Sequence, residues 1–255
     1  MNSHQRQSVT SLPMGEAFLW GLLGGTALLI GALLSFGSFI SSRVLGLTMA
    51  FGAGVLISAV AYDLVQDSFE KSNGRTLVAG LAAGALAFFL GDLVIDRMGG
   101  QGRKRSTGVQ AGGGGAAIAL GTVLDGIPES VVLGTTLVAG SGVSWALLAA
   151  VFLSNLPEAM SATAGLRKAG VQPSRLVLLW SVTALVSAVA AALGYLLMGD
   201  AAGSSVALAQ AFAAGALLTM LADTMIPEAY EFGGPATGLM TVLGFSVAFG
   251  ISTLS

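Results

Sequence analysis

A chain of 255 residues that is 54% hydrophobic and only 9% charged, with a mean hydropathy of +0.83, carries too little charge to cover a water-facing surface. Its natural solvent is a bilayer. A net charge of −2 and the lack of any basic patch interleaved with aromatics argue against nucleic acid as a partner. The absence of cysteine excludes disulfides, thiolate metal sites and thiol catalysis.

Apolar runs long enough for a hydrocarbon core about 30 Å thick are predicted at 17–41, 44–66, 75–97, 114–139, 143–167, 174–198, 203–229 and 234–254, called spans 1 to 8 below. The expected fold class is all-α: a polytopic membrane protein of eight transmembrane helices, forming one membrane domain over residues 1–255. Residues 1–16 read as a polar leader holding the single histidine, His4. They lack the short apolar region and small-residue cleavage site of a secretory signal, so span 1 is expected to stay in the mature protein. Short breaks such as Ser41-Ser42-Arg43 and Gly233-Gly234-Pro235 punctuate the runs. Residues 98–113, basic at Arg103, Lys104 and Arg105 and glycine-rich at the end, read as a flexible cytosolic loop.

Orientation follows from the basic residues. With the N-terminus outside, the inner side carries Arg43, Arg97, Arg103, Lys104, Arg105, Arg167, Lys168 and Arg175, against Arg6, Lys71 and Arg75 outside. This asymmetry predicts a multi-pass protein of the cell (plasma or inner) membrane with both termini extracytoplasmic.

Two internal matches stand out. Phe51 to Glu70 in span 2 and Phe212 to Glu231 in span 7 are identical at six of twenty positions, including Phe51/Phe212, Gly54/Gly215 and Glu70/Glu231. Spans separated in this way run antiparallel, the pattern of an inverted-topology repeat, although two Gly/Ala-rich helices can also match by composition. The second match is shorter and sharper. Leu124-Asp125-Gly126-Ile127-Pro128-Glu129-Ser130 in span 4 parallels Leu153-Ser154-Asn155-Leu156-Pro157-Glu158-Ala159 in span 5.

Both Pro-Glu segments fall near mid-span. Asp125 and Glu129 are four apart on one helix face, as are Ser154 and Glu158, with Asn155 adjacent. Three ionised carboxylates at that depth, Asp125, Glu129 and Glu158, would cost on the order of 8–10 kcal/mol in total without compensation. No lysine, arginine or histidine is predicted at a comparable depth, so a bound cation or protons must compensate. Pro128 and Pro157 each remove a backbone hydrogen bond and free the carbonyls of Leu124 and Leu153, which are further candidate oxygen ligands. The competing interpretation is ordinary proline kinks with protonated acids packed between helices.

These twin Pro-Glu motifs and the eight spans resemble the Zrt/Irt-like (ZIP) family of divalent metal transporters, and the likeness covers essentially the whole chain. The resemblance implies extracellular termini, a cytosolic third loop, inverted repeats formed by spans 1–3 and 6–8, and a metal site on the central pair, spans 4 and 5. It implies Asp125, Glu129 and Glu158 as metal ligands, with Asn155 and Ser154 contributing. It also implies alternating access, in which a unit bearing spans 4 and 5 moves against a scaffold containing spans 2 and 7. The family's two motif histidines are replaced here by Asp125 and Ser154. The all-oxygen set that remains favours hard ions such as Mn²⁺ or Fe²⁺, although zinc also binds carboxylates. Some family members hold a second metal, at positions occupied here by Gly126 and, by the run Ser187 to Gly194, Ala191; one principal site is therefore expected.

Asp63 and Asp67 toward the outer end of span 2, with Asp223 and Glu228 toward the inner end of span 7, are expected to line the path on either side of the site. For Asp67 and Glu228 an interfacial, headgroup-solvated role competes with that reading. The function these readings support is secondary transport of a divalent transition metal (Zn²⁺, Mn²⁺, Fe²⁺ or Cd²⁺) toward the cytoplasm. The metal is cargo rather than cofactor; the other partners are the lipid bilayer and, as an open alternative, a second copy in a homodimer. A proton- or sodium-coupled carrier of a small organic solute is the alternative function. No ATP-binding Gly-x-x-x-x-Gly-Lys run and no His-Glu-x-x-His motif occurs, so an enzyme is not expected.

Overall fold

A computed structural model describes residues 3–37, 41–100, 115–138, 144–198 and 203–253, with the side chains of 3–13, 99–100, 115–122, 125, 136, 138 and 146 outside the described set. The described residues are helical apart from short breaks and contain no strand. The helices are α1 (Ser3–Phe36), α2 (Ser42–Ala59), α3 (Asp67–Lys71), α4 (Gly74–Ile95), α5 (Gly115–Val138), α6 (Trp145–Lys168), α7 (Pro173–Met198), α8 (Gly203–Met220), α9 (Ile226–Gly233) and α10 (Thr237–Ser252). A π-helical segment, Val60–Gln66, carries α2 into α3, and another, Leu221–Met225, carries α8 into α9. Six stretches are long and apolar enough to cross a membrane: Met14–Phe36, Ser42–Lys71, Gly74–Met98, Leu147–Lys168, Pro173–Met198 and Gly203–Ser252.

Helix ends follow local chemistry. Ser41, Asn73 and Ser144 cap α2, α4 and α6, each side chain accepting a backbone N–H three residues on. The end of α6 is a Schellman turn: Val171 N–H donates to Leu166 O and Gly170 N–H to Arg167 O, both at 3.0 Å. Gly170 takes φ +85° there, a conformation that glycine adopts without a Cβ clash. Pro173 then opens α7, where its missing N–H costs nothing.

Two boundaries differ from the sequence reading. Helix continues past residue 66 to Lys71 and past 229 to Gly233, because helical hydrogen bonding does not stop where the apolar run does. The polar leader is likewise helical from Ser3, in line with α1. Most of the expected loop at 98–113 lies outside the described residues.

The outer surface is apolar as well as the core, and a few polar groups are buried within it. Large apolar side chains such as Val78, Leu178, Leu197 and Leu239 are exposed, whereas Glu129, Glu158, Gln210 and Glu228 are buried. That distribution suits lipid outside and polar function inside. Small residues let the backbones approach closely. A Cβ at Gly84 of α4 would overlap the carbonyl oxygen of Phe212 in α8, and one at Gly244 of α10 would overlap that of Phe51 in α2. Gly54 meets Thr241 O and Gly215 meets Leu81 O in the same manner. Around the centre, α1 packs on α7 and α6, α5 packs on α7, and α6 packs on α2.

Candidate functional site

The two Pro-Glu motifs come together between α5 and α6. Ser154 Oγ donates to Glu129 Oε1 at 3.3 Å, joining the helices at the motifs themselves. Glu129 is 1% exposed, Ser154 0% and Glu158, one turn beyond Ser154, 6%. Asp125 lies in α5 one turn before Glu129, but its side chain is outside the described residues. Among the described residues no group of three or more His, Cys, Asp or Glu side chains is gathered closely enough to hold a metal ion.

Asn155 turns elsewhere. Its Nδ2 donates to the Gly24 carbonyl of α1 at 3.3 Å, so it ties α6 to α1. The carbonyl freed by Pro157 is also turned aside: Leu153 O faces Gly52 of α2, 3.0 Å from where a Cβ would sit. A carbonyl without its helical N–H thus lets α2 and α6 approach at a glycine instead of pointing into the site. At the positions corresponding to a second family metal, Gly126 faces Ser187 of α7, with 3.6 Å between its Cβ direction and Ser187 Oγ. Ala191 is fully buried, its Cβ pressed on Gly21 of α1 and its carbonyl on Gly134 of α5.

Helix α6 organises the polar groups into one stripe. Residues 144, 147, 151, 154, 158 and 161 recur at three- and four-residue spacing and share a face. At one end, Ser144 Oγ donates to Asp63 Oδ2 at 2.8 Å while also capping the helix. Leu147 and Val151 come next, 0% and 1% exposed, an apolar layer two residues deep. Ser154 with Glu129 and then Glu158 follow. Finally Ser161, fully buried, donates to Glu228 of α9, itself 5% exposed. From Ser144 to Ser161 the stripe covers about 25 Å at the helical rise of 1.5 Å per residue.

Of the four expected pathway acids, Asp63 and Glu228 therefore meet α6 on either side of the central motifs. Glu228 is not at an exposed interfacial position. Asp67 is partly exposed and held by Lys71 Nζ at 2.6 Å and Gln210 Nε2 at 2.7 Å. Asp223 is placed apart: it is exposed, at the edge of an apolar groove between α4 and α8 lined by Val78, Leu81 and Leu218. Sequence reasoning missed Ser144, Ser161 and Gln210. Ser161 could have been found three residues after Glu158 on the same face, and Gln210 as an isolated polar residue within an apolar span.

No protein-family model matches the chain. Among curated proteins it is 26% identical over 236 residues, 92% of its length, to an Arabidopsis thaliana protein named as a putative zinc transporter. That name agrees with the ZIP resemblance of the Pro-Glu motifs. The chain spans only 37% of the length of this relative. With its several apolar, membrane-length helices, the chain is a multi-pass membrane protein.

Proposed function

We propose that the chain is a secondary transporter of ZIP type, carrying divalent transition-metal cations toward the cytoplasm through a carboxylate site at the middle of the bilayer. The observation that carries this reading is the pairing of two buried Pro-Glu motifs by Ser154 and Glu129, with Glu158 one turn away. Carboxylates in so dry a position need a cation or protons beside them. The proposed ligands are Asp125, Glu129, Ser154 and Glu158, while Asn155 sets the distance between α6 and α1. This oxygen set accepts hard divalent ions and, through its carboxylates, zinc, the ion in the relative's name.

The same reading places eight spans in the membrane. Helix α5 has 24 residues, about 36 Å of helix, enough to cross. Gly203–Ser252 has 50 residues, twice what one crossing needs, and is divided at Gly234, where φ is +64°. An inverted repeat is supported by how contacts exchange when spans 1–3 are swapped with 6–8 and span 4 with 5. The α2–α10 packing maps onto α8–α4, and α1–α6 onto α7–α5. Gly54 maps onto Gly215, Phe51 onto Phe212, and one π-helical segment onto the other.

In this arrangement Asp63 gathers cations on the outer side and Glu228 receives them on the inner side. Leu147 and Val151 close the stretch between Asp63 and the central carboxylates, while no apolar layer intervenes between Glu158 and Ser161. On this reading Leu147 and Val151 are the outer closure. Movement of α5 and α6 against α2 and α8 would open it, and the Gly52–Leu153 contact is where α6 slides on α2. An inward-negative potential favours inward movement of a dication by about 4–5 kcal/mol per 100 mV.

The test is uptake into proteoliposomes. Wild-type protein should take up Mn²⁺, Zn²⁺, Fe²⁺ or Cd²⁺, with competition among them ranking preference. Glu129→Gln and Glu158→Gln should each lower uptake at least about tenfold, the loss of one charge-assisted ligand. Uptake unchanged in both variants would end the metal-transport reading.

A further inference from the structure

The α4–α8 and α2–α10 crossings are built alike. Gly84 meets Phe212 O as Gly244 meets Phe51 O, and Gly215 meets Leu81 O as Gly54 meets Thr241 O. The same register sets Asp223, in the π-helical continuation of α8, where Tyr62 stands after α2, and Ala85 of α4 where Phe245 stands in α10. One seam is filled at that level: the Tyr62 ring centroid lies 6.2 Å from that of Phe245 and 5.0 Å from that of Phe249. The other is not. A groove of about 580 Å³ runs between α4 and α8, walled by Val78, Leu81, Ala85, Leu218 and Ala222, with Asp223 the charged residue among its lining. It is open to the outside, for Val78 is 64% and Leu218 41% exposed. Phe89, the counterpart of Phe249, is turned outward and does not line it. The Thr219 hydroxyl is taken up by Gly215 O at 2.9 Å. Asp223 makes no hydrogen bond or ion pair among the described residues.

Hydrocarbon covers any exposed apolar groove in a bilayer, so the walls alone select nothing. Asp223 does. A carboxylate against hydrocarbon is costly and draws a counter-cation, and the cation that a lipid brings is in its headgroup. The primary ammonium of an ethanolamine headgroup carries N–H donors for a charge-assisted bond, as a lysine does. The quaternary ammonium of choline carries none, and a net anionic headgroup is repelled. We propose that the α4–α8 groove binds a phospholipid with a primary-ammonium headgroup, its acyl chain along the apolar walls and its ammonium on Asp223. The volume falls within the roughly 300–1,000 Å³ of small-molecule sites. Depth permits it as well. Asp223 is about 12 Å of helix past Gly215, and Ile95, the end of α4, is about 16 Å past Gly84, which faces Gly215. Asp223 thus lies about one turn inside the level at which α4 ends, next to the headgroup layer. Ala85 makes the room that Phe245 fills in the other seam, and Asp223 supplies the selectivity. The groove is separate from the polar stripe of α6, and the proposal holds whatever the cargo.

The experiment is native mass spectrometry of the full chain in detergent, titrated with phosphatidylethanolamine, phosphatidylcholine and phosphatidylglycerol of identical acyl chains. Wild-type protein should retain one phosphatidylethanolamine per chain about fivefold more tightly than phosphatidylcholine, the worth of one partly exposed ion pair. Phosphatidylglycerol should bind more weakly still. Asp223→Asn should level phosphatidylethanolamine with phosphatidylcholine, and Asp223→Lys should turn the preference toward phosphatidylglycerol, a reversal that a merely structural role for Asp223 would not produce. Ala85→Phe, which copies the other seam, should displace the retained lipid whatever its headgroup. Asp223→Asn changes charge without volume and Ala85→Phe volume without charge, so either tests the site should the other fold poorly. Equal retention of all three lipids by the wild type means an annular lipid only and overturns the proposal. A preference for phosphatidylethanolamine that survives both Asp223→Asn and Ala85→Phe places that lipid elsewhere and overturns it equally. A dimer in nanodiscs that Ala85→Phe splits, with no lipid preference, gives the groove to a second copy and also overturns it.

Discussion

Replacing Gly84 by alanine tests one of the closest helix crossings among the described residues. The added Cβ would overlap the backbone carbonyl of Phe212, which has no rotamer through which to escape. To restore an ordinary contact, α4 and α8 must part by about 1.5 Å, more than the gap of about 0.5–1 Å that already forfeits a quarter to a half of the dispersion energy along the seam. Overpacking of this kind costs about 1–3 kcal/mol, or roughly 3–10 °C in melting temperature for a chain of this size. Gly244→Ala should cost a similar amount, because its Cβ would overlap the Phe51 carbonyl across α2 and α10. Gly250→Ala is the control. Nothing lies within 4 Å of its Cβ position, so it should be neutral or stabilise by up to about 1 kcal/mol through helix propensity. Thermal unfolding of the three purified variants in one detergent, followed by tryptophan fluorescence, gives the comparison. If Gly84→Ala and Gly244→Ala melt with Gly250→Ala, the close-packed seams are not holding these helices together and the packing argument is refuted.

Ser144→Ala removes both the cap of α6 and the hydroxyl on Asp63, and should lower stability by about 1–2 kcal/mol; Ser144→Thr should restore most of it in the same melting assay. Trp180→Phe removes the indole N–H that donates to Thr163 at 2.8 Å, leaving a buried hydroxyl short of a donor at a cost of about 1–3 kcal/mol. A melting temperature equal to wild type would show that this α6–α7 bond contributes nothing net. Gly170→Ala places a Cβ at φ +85° and should cost about 1 kcal/mol, with no loss of cation uptake per folded molecule, since the turn lies at the end of α6 away from the stripe.

Much of the site was legible because intramembrane charge is so costly that each example carries information. Glu129 and Glu158 stood out as acids within apolar runs, and their shared Pro-Glu pattern pointed to one depth. Asp63 and Glu228 stood out for the same reason. Their partners did not. Serine is common in membrane helices, so Ser144 and Ser161 carry no signal until the π-helical segment after α2, and α9, are seen to meet α6. Asn155 had the same composition-level claim to be a ligand as Ser154; a rotation of about 100° between successive helical residues sends one toward Glu129 and the other toward Gly24. Asp223 resembled Asp63 in the sequence, yet it is exposed beside α4 and α8.

The sequence by itself determined the solvent, the all-helical class and the two Pro-Glu segments. Hydrophobic runs and proline act locally, and a bilayer penalises every unpaired polar group in the same way. Only the tertiary structure decided which face of each helix meets which neighbour. It set Ser154 on Glu129, turned the freed Leu153 carbonyl toward Gly52, and placed Leu147 and Val151 between Asp63 and the central acids. Those outcomes depend on where glycines let backbones touch, and a contact between helices far apart in the chain is a sum of many small packing terms that no single stretch of residues contains.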